Sequence, residues 1–137
     1  MGIVYADITL KNAGDVTGFE RGFIKEHEIR QVSVRALVDT GAGSLVINEE
    51  ISQKLGLTVK GLRGVELVDG AKQICKKTEA VEISWKDRES ICWALIVPNA
   101  SEVLLGAIPL EDMDLIIHPK KNELIGAHGD EILTYIK

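Results

Sequence analysis

The sequence predicts a single, mainly β domain over residues 1–137: a small closed β-barrel or sandwich with one or two short helices. The length of 137 residues suits one domain with its own hydrophobic core. Val, Ile and Leu dominate the apolar residues, whereas aromatic residues make up only 4% of the chain, and this composition favours strands. Short alternating segments separated by turn residues recur along the chain, as they do in barrels and sandwiches.

The first third of the chain predicts two strands. Apolar and polar residues alternate from Val4 to Leu10 and again, more strongly, from Ile29 to Val38, which is the two-residue period of a strand. Between them, Asn12 to Gly18 is rich in Gly, Asn and Asp. That composition predicts a turn or an exposed loop.

A helix is predicted directly after Leu45-Val46-Ile47. Asn48 can cap its first turn, two glutamates follow, and Gly56 can take the left-handed conformation at its end. Ile51 and Leu55 are spaced to face the core. Residues Pro109 to Met113 allow a second, short helix.

Three hairpins are predicted in the rest of the chain. The first spans Val65 to Lys77 and turns at Asp69-Gly70, a dipeptide suited to a type I′ turn. The second turns at Lys86-Asp87-Arg88, and its continuous apolar segment Ile91 to Val97 predicts burial on both faces. The third turns at residues 119–122.

Composition argues against several classes of function. The net charge is −5 and the basic residues are scattered, whereas a nucleic-acid site needs a basic face. No apolar run approaches membrane-spanning length, so neither nucleic acid nor a membrane is expected as a partner. The N-terminus lacks a signal-peptide pattern, which makes the cytoplasm the expected compartment.

Cysteine and histidine usage predicts no disulfide, metal or other cofactor. Cys75 and Cys92 form no CxxC pair and are expected to be small buried side chains. His27 and His128 show no metal-ligand spacing and are expected to be structural or exposed. His118 is expected to be a surface residue at the end of a strand.

The most informative segment reads ALVDTGAGS, an apolar strand that ends in Asp39-Thr40-Gly41. The strand would hold the carboxylate rigidly, Thr40 can hydrogen-bond neighbouring backbone, and the N–H of Gly41 can reach the carboxylate. Small Ala42 and Gly43 leave room for a ligand chain. Taken alone, the tripeptide is better explained by an aspartate that caps a turn after a strand, and the surrounding sequence is what favours a catalytic role.

In the order of its landmarks, the chain resembles the retropepsin-like aspartic peptidases, the single-domain group that includes the retroviral proteases. Val38 to Ala42 resembles the catalytic loop, and Val65 to Gln73, with Gly70 near its tip, resembles the flap hairpin. Leu104-Leu105-Gly106 resembles the triplet that supports the loop from beneath. The resemblance covers roughly Ile29 to Ile125 and implies a retropepsin-type barrel with a flap.

This resemblance implies an aspartic endopeptidase. Two aspartates would share one proton and hold a water, because like charges so close cannot both ionise easily. One carboxylate would accept the proton of the attacking water and the other would donate to the peptide carbonyl. Since the chain has one usable Asp-Thr-Gly, a homodimer would supply Asp39 twice. The near match Asp15-Val16-Thr17-Gly18 is predicted to be a loop.

The resemblance also implies that a peptide or protein substrate lies under the flap as an added strand. The implied substrate-binding residues, beside the catalytic Asp39, Thr40 and Gly41, are Ala42, Gly43, Val68, Asp69, Gly70 and Leu104. An aliphatic lining that also includes Val38, Val46 and Ile96 favours apolar side chains at the cleavage site.

Three departures from the family pattern are visible. Retroviral members carry an Asp two residues after the motif glycine and an Arg after the later glycine, where this chain has Gly43 and Ala107. Joint loss is expected if an ion pair is replaced as a unit. Ile108-Pro109 departs as well, because retroviral members continue into a helix there.

Two alternatives stay open. One is a catalytically silent dimeric module of the same fold that binds peptides or serves as a scaffold, since fold does not dictate function. The other is an unrelated small β-barrel protein. A meeting of two Asp39 carboxylates under a flap would separate the peptidase from the silent module.

Overall fold

The structure is a computed structural model that describes residues 2–136. It confirms the mainly β class, with 47% strand and 18% helix. The strands of the described residues are β1 (Tyr5–Asn12), β2 (Gln31–Val38), β3 (Leu45–Ile47), β4 (Val59–Glu66), β5 (Lys72–Trp85), β6 (Arg88–Ile96), β7 (Val103–Leu105), β8 (Leu115–His118) and β9 (Glu123–Gly126). The helices are α1 (Ala13–Glu20), α2 (Glu49–Leu55), α3 (Ala107–Asp112) and a 3-10 turn at Glu26–Glu28.

Six strands close into a barrel in the order β1-β2-β7-β3-β6-β5, and antiparallel pairing of β1 with β5 completes the ring. β4 extends the sheet beyond β5, and β8 and β9 form a separate two-stranded sheet. The barrel interior is dry: Leu10, Leu45, Val81 and Leu105 have no exposed surface. Burial of these aliphatic side chains is the main force that holds the strands together.

The loop predicted for Asn12 to Gly18 is wrong, because α1 occupies most of that segment. The Asn12 side chain accepts a hydrogen bond from the Asp15 N–H at 3.0 Å and donates one to the Leu55 carbonyl at 2.9 Å. The Asp15 carboxylate in turn forms an ion pair with Arg30, whose Nε lies 2.8 Å from Asp15 Oδ2. The near match to the motif is therefore helical, and its aspartate is occupied by an ion pair.

The predicted helix after β3 is confirmed with its caps. Asn48 accepts a hydrogen bond from the Ile51 N–H at 2.9 Å, and Gly56 ends α2 in the left-handed conformation with φ +60°. Leu55 is fully buried against the barrel and Ile51 packs beside it. Helix α2 thereby fixes the position of the segment that follows β3.

Helix α3 forms where Ile108-Pro109 appeared to interrupt one, so that expected departure is wrong. Pro109 lies in the first turn, where a backbone N–H would have no partner within the helix. The proline is therefore tolerated, and the short predicted helix begins two residues earlier than Pro109.

The hairpin between β4 and β5 is confirmed, but its type I′ turn is wrong. At its tip only Gly70 has positive φ, at +86°, whereas a type I′ turn needs two such residues. Leu67 donates its N–H to the Ala71 carbonyl at 2.8 Å and Gly70 donates to Leu67 at 2.9 Å. The tip is thus a three-residue loop that ends in a left-handed glycine.

The predicted burial of Ile91 to Val97 on both faces is also wrong. β6 alternates between the barrel interior and its outer face, and the Ile91 side chain is 61% exposed. A closed barrel has one interior, so every second residue of a strand points outward.

The hairpin of β8 and β9 forms as predicted. Cys75 and Cys92 are free and buried. None of the helices among residues 2–136 has the length and apolar character needed to cross a membrane.

Candidate active site

Asp39 follows directly on the inner strand β2, whose last residue, Val38, is buried. The Val38 N–H donates to the Val4 carbonyl at 2.9 Å, and the Asp39 N–H donates to the Leu105 carbonyl at 3.0 Å. The backbone of Asp39 is thereby held between the N-terminal segment and β7. A half-buried carboxylate at the end of a fixed strand has a defined position.

The Asp39 side chain is oriented by its own loop. Gly41 donates its N–H to Asp39 Oδ1 at 2.9 Å, as the sequence suggests, and Ala42 donates to the Asp39 carbonyl at 3.1 Å. The expected hydrogen bond from the Thr40 side chain to neighbouring backbone does not form within residues 2–136, and Thr40 is exposed. One carboxylate oxygen of Asp39 is therefore held by the Gly41 N–H.

The segment after β7 lies beneath this loop. Ala107 donates its N–H to the Ala42 carbonyl at 2.8 Å, and Ile108 donates to the Gly43 carbonyl at 3.0 Å. A Cβ atom on Gly106 would lie 2.6 Å from the Ala42 carbonyl oxygen and would also meet Ser44. Only glycine allows the two backbones to approach this closely.

These backbone contacts occur at positions 43 and 107, where the pattern of the retroviral members has an ion pair. Gly43 and Ala107 have no charged side chain, and the two backbone hydrogen bonds connect their segments instead. The loop is thus linked to the start of α3 without any charge. This arrangement is consistent with joint replacement of the pair.

Ser44 is a supporting residue that sequence reasoning missed. Its hydroxyl donates to the Trp93 carbonyl at 2.7 Å, and the side chain is buried. The sequence signal that could have identified Ser44 is a small hydroxyl residue between a glycine and a buried strand. The neighbouring Cys92 is also buried, and burial raises the pKa of its thiol, which keeps the sulfur protonated and unreactive.

The predicted substrate-binding residues fall into two groups in one protomer. Ala42 and Gly43 belong to the Asp39 loop, and Leu104 lies beside it on β7. Val68, Asp69 and Gly70 form the tip of the β4–β5 hairpin, where Val68 is fully exposed. The hydrogen bonds described for residues 2–136 include none between this tip and the loop.

The hairpin is supported at its base and free at its tip. Arg63 and Lys77 each stack on the Trp93 ring, with the charged group 4.7 Å from the ring centre.

Ile96, which was expected to line the substrate pocket, is 1% exposed and belongs to the barrel core. The aliphatic lining predicted from the sequence is therefore wrong at that position.

The histidines make local contacts, and residues 2–136 contain no group of three or more side chains placed to hold a metal ion. His128 lies 2.7 Å from Asp114 and 2.9 Å from the Tyr135 hydroxyl. The His118 ring accepts backbone N–H groups of the following turn, and His27 is exposed in the 3-10 turn.

A groove of about 360 Å³ begins at Thr40, beside the Asp39 loop. Its walls come from α3 and the β8–β9 hairpin: Thr40, Ala107, Leu110, Glu111, Leu115, Ile116, Ile117 and Leu124. A larger cavity of about 750 Å³ lies around Trp85 and Arg88 and is lined by none of the predicted site residues. Size alone therefore does not identify the site here.

Comparison with known proteins agrees with this geometry. Residues 26–120 match the family described as gag-polyprotein putative aspartyl protease. The matched segment contains the Asp39 loop, the β4–β5 hairpin and Gly106. A search of curated proteins finds no match to the chain.

Proposed function

The chain belongs to the gag-polyprotein aspartyl protease family, and we propose that it is an aspartic endopeptidase whose active site forms between two copies of the chain. The observation that carries the proposal is the Asp39 loop. One carboxylate oxygen accepts the Gly41 N–H at 2.9 Å, and the loop rests on the backbone around Gly106. Such a carboxylate is positioned before any substrate arrives.

The proposed reaction needs two carboxylates. With one proton shared between two Asp39 side chains, one carboxylate accepts a proton from the bound water as it attacks the peptide carbonyl. The other donates its proton to the carbonyl oxygen, which gives a tetrahedral diol. The diol then collapses as the first carboxyl passes the proton it took from water to the departing amine nitrogen and the second carboxylate takes a proton from a diol hydroxyl, so that the pair again holds one proton. No covalent bond to the protein is formed.

The requirement for a second copy follows from the count of usable motifs. Asp15, the other aspartate followed by a Thr-Gly pair, lies in α1 and is paired with Arg30. Each protomer therefore has one candidate carboxylate of this kind, and a two-fold axis beside the loop would bring two together.

Substrate is proposed to bind between the loop and the hairpin tip. Ala42, Gly43 and Leu104 would contact it from one side, and Val68, Asp69 and Gly70 would cover it from the other. An extended peptide can add its backbone hydrogen bonds to such a hairpin while pockets select its side chains. We also propose that residues 1–137 act as one domain, because Val4, Leu115 and Leu124 share one core cluster.

A silent peptide-binding module remains the second candidate, and the uncharged Gly43 and Ala107 positions favour it. The two candidates differ in whether peptide bonds are broken. Bound peptide would be released intact by a silent module and in pieces by a peptidase.

The test is cleavage of a peptide library by native protein, Asp39→Asn and the control Asp87→Asn, each checked for folding by circular dichroism. Asp87 is exposed in the β5–β6 turn and should be dispensable. Asn can still accept the Gly41 N–H but cannot share the proton, so we expect Asp39→Asn to lose turnover. Cleavage by folded Asp39→Asn within about tenfold of native would overturn the assignment.

The pH dependence offers a second readout. The proposed reaction needs one proton on the pair of carboxylates, because one side chain accepts a proton while the other donates one. The rate of cleavage by the native protein should therefore fall on both sides of an optimum. A rate that is flat across both limbs would contradict the shared-proton mechanism.

A further inference from the structure

The two faces of the β4–β5 hairpin carry different side chains. Directly opposite residues of an antiparallel pair project from the same face of a sheet. Lys76 is opposite Ile96, whose side chain is buried in the barrel, and Leu62 is opposite Lys76. Ile74 precedes Lys76 by two residues and shares its face. Leu62, Ile74 and Lys76 therefore continue the interior side of the sheet beyond the barrel, and we call them the inner face of the hairpin.

The outer face of the hairpin is identified by an independent contact. Arg63 and Lys77 stack on the Trp93 ring. Trp93 lies between two buried residues of β6 and so projects from the outer side of the barrel. The sequence neighbours Lys76 and Lys77 thus project from opposite faces of one strand.

The inner face is apolar and open. The Leu62 side chain is 70% exposed and the Ile74 side chain is 73% exposed. Gly64 is opposite Ile74, and a Cβ atom there would meet nothing within 4 Å. Two exposed aliphatic side chains beside a position without a side chain leave room for an apolar group from another chain.

Lys76 adds an unpaired cation to this face. Its side chain is exposed, and no ion pair among residues 2–136 involves a residue of the hairpin. Residues 59–78 carry five basic and two acidic side chains, a net charge of +3, whereas the whole chain carries −5. The hairpin is therefore a basic element on an otherwise acidic protein.

We propose that Lys76 is a specificity-determining residue that selects substrates with an acidic side chain two positions from an apolar one. The inference rests on the proposed function, because it needs an extended peptide under the inner face. Residues i and i+2 of an extended chain project to one side about 6.6–6.8 Å apart. Ile74 and Lys76 have this spacing on β5, so a peptide along β5 would place its apolar side chain at Ile74 and its acidic side chain at Lys76.

The charge of the hairpin favours an acidic peptide over a nucleic acid. A positive element draws an acidic segment toward it and raises the rate of encounter. Binding of single-stranded nucleic acid also uses free aromatic rings on which bases stack. The Trp93 ring at the base of the hairpin is already stacked with Arg63 and Lys77.

Three peptide libraries that share a Leu-Ala-Xaa core, with Xaa as Glu, Gln or Lys, test the preference. Binding is measured by fluorescence anisotropy with full-length Asp39→Asn, and cleavage with the native protein. We expect the Glu library to bind at least about tenfold more tightly than the Lys library, because a like charge beside Lys76 is repelled. Equal dissociation constants for the three libraries would overturn the proposal.

The adjacent lysines provide a matched control, with each variant made in the Asp39→Asn protein and checked by circular dichroism. Lys76→Glu should reverse the preference toward the Lys library, and Lys76→Gln should bring the libraries within about twofold of each other. Lys77→Gln, on the outer face, should keep the native order. Equal changes in Lys76→Gln and Lys77→Gln would show that net charge alone decides, and would refute the role of Lys76.

A single-stranded oligonucleotide serves as a second probe on the same protein. It should displace the Glu library less effectively than an unlabelled Glu peptide of equal charge. Stronger displacement by the oligonucleotide would assign the hairpin to nucleic acid and overturn the proposal.

These outcomes are separable from failure of the peptidase proposal. Selective binding of the Glu library through Lys76, with no cleavage by the native protein, keeps the acidic preference and removes the peptidase. Cleavage of all three libraries at equal kcat/KM keeps the peptidase and removes the preference. Absence of binding to any library removes the inferred role of Lys76.

Discussion

Gly106 lies so close to Ala42 that a Cβ atom on the glycine would be 2.6 Å from the carbonyl oxygen of Ala42. The contact joins two backbones, and neither can move aside as a flexible side chain would. The Asp39 loop is therefore supported by backbone whose position depends on the absence of a side chain.

Gly106→Ala should displace the loop. Relief of the clash requires backbone movement, and we expect a loss of about 1–3 kcal/mol in the free energy of unfolding together with loss of cleavage. Gly64→Ala is the control, because a Cβ atom there meets nothing within 4 Å. Urea unfolding and peptide cleavage measure both effects. Native behaviour of Gly106→Ala would show that the loop adapts freely.

Ser44 and Ser90 form a natural pair for comparison. Ser44 donates to the Trp93 carbonyl, whereas the buried Ser90 hydroxyl has no hydrogen-bond partner among the described residues. Ser44→Ala removes the donor of a partly buried hydrogen bond and should cost about 1 kcal/mol, while Ser90→Ala should be neutral or stabilising. Thermal or urea unfolding gives the comparison. Equal costs for the two variants would contradict the hydrogen-bond explanation.

Acid should weaken the packing of α1 through Asp15. The hydrogen bonds from the Arg30 side chain lower the pKa of the Asp15 carboxyl in the folded protein. Its contribution to stability is therefore present above the unfolded pKa of about 4 and is lost as the pH falls through the lower, folded value.

Asp15→Asn should thus be less stable than the native protein at pH 7, and the difference should shrink as the pH falls below about 4. Asp87→Asn, in the exposed β5–β6 turn, serves as the control. Urea unfolding at several pH values measures the difference. A gap that grows in acid would reverse the predicted sign.

The β4–β5 hairpin should exchange its amide hydrogens quickly between Val65 and Gln73. β4 pairs with one neighbour among the described strands, and the tip residue Val68 is fully exposed. A statine-type inhibitor should slow the exchange if the hairpin closes over substrate. Exchange without ligand as slow as in Val32 to Val38 would contradict a mobile flap.

The sequence alone predicted the features that depend on neighbours along the chain. The cap at Asn48, the left-handed Gly56 and the glycine-tipped hairpin follow from side chains within a few residues of each other. The Asp39 loop after an apolar strand was predicted in the same way, and the Gly41 N–H reaches the carboxylate as expected. Such signals are local, so a single sequence carries them.

Only the tertiary structure decided the features that depend on distant residues. α1 is capped by Asn12, which bonds to the Leu55 carbonyl, and is held by Asp15 paired with Arg30. Ile91 is exposed because the barrel closes with the opposite face of β6 toward its interior.

The placement of Thr40 and Ile116 in one groove likewise appears only after folding, when residues far apart in the sequence come together. The physical reason is the same in each case. Hydrogen bonds, ion pairs and apolar contacts between remote residues depend on closure of the barrel, and no sequence window contains both partners.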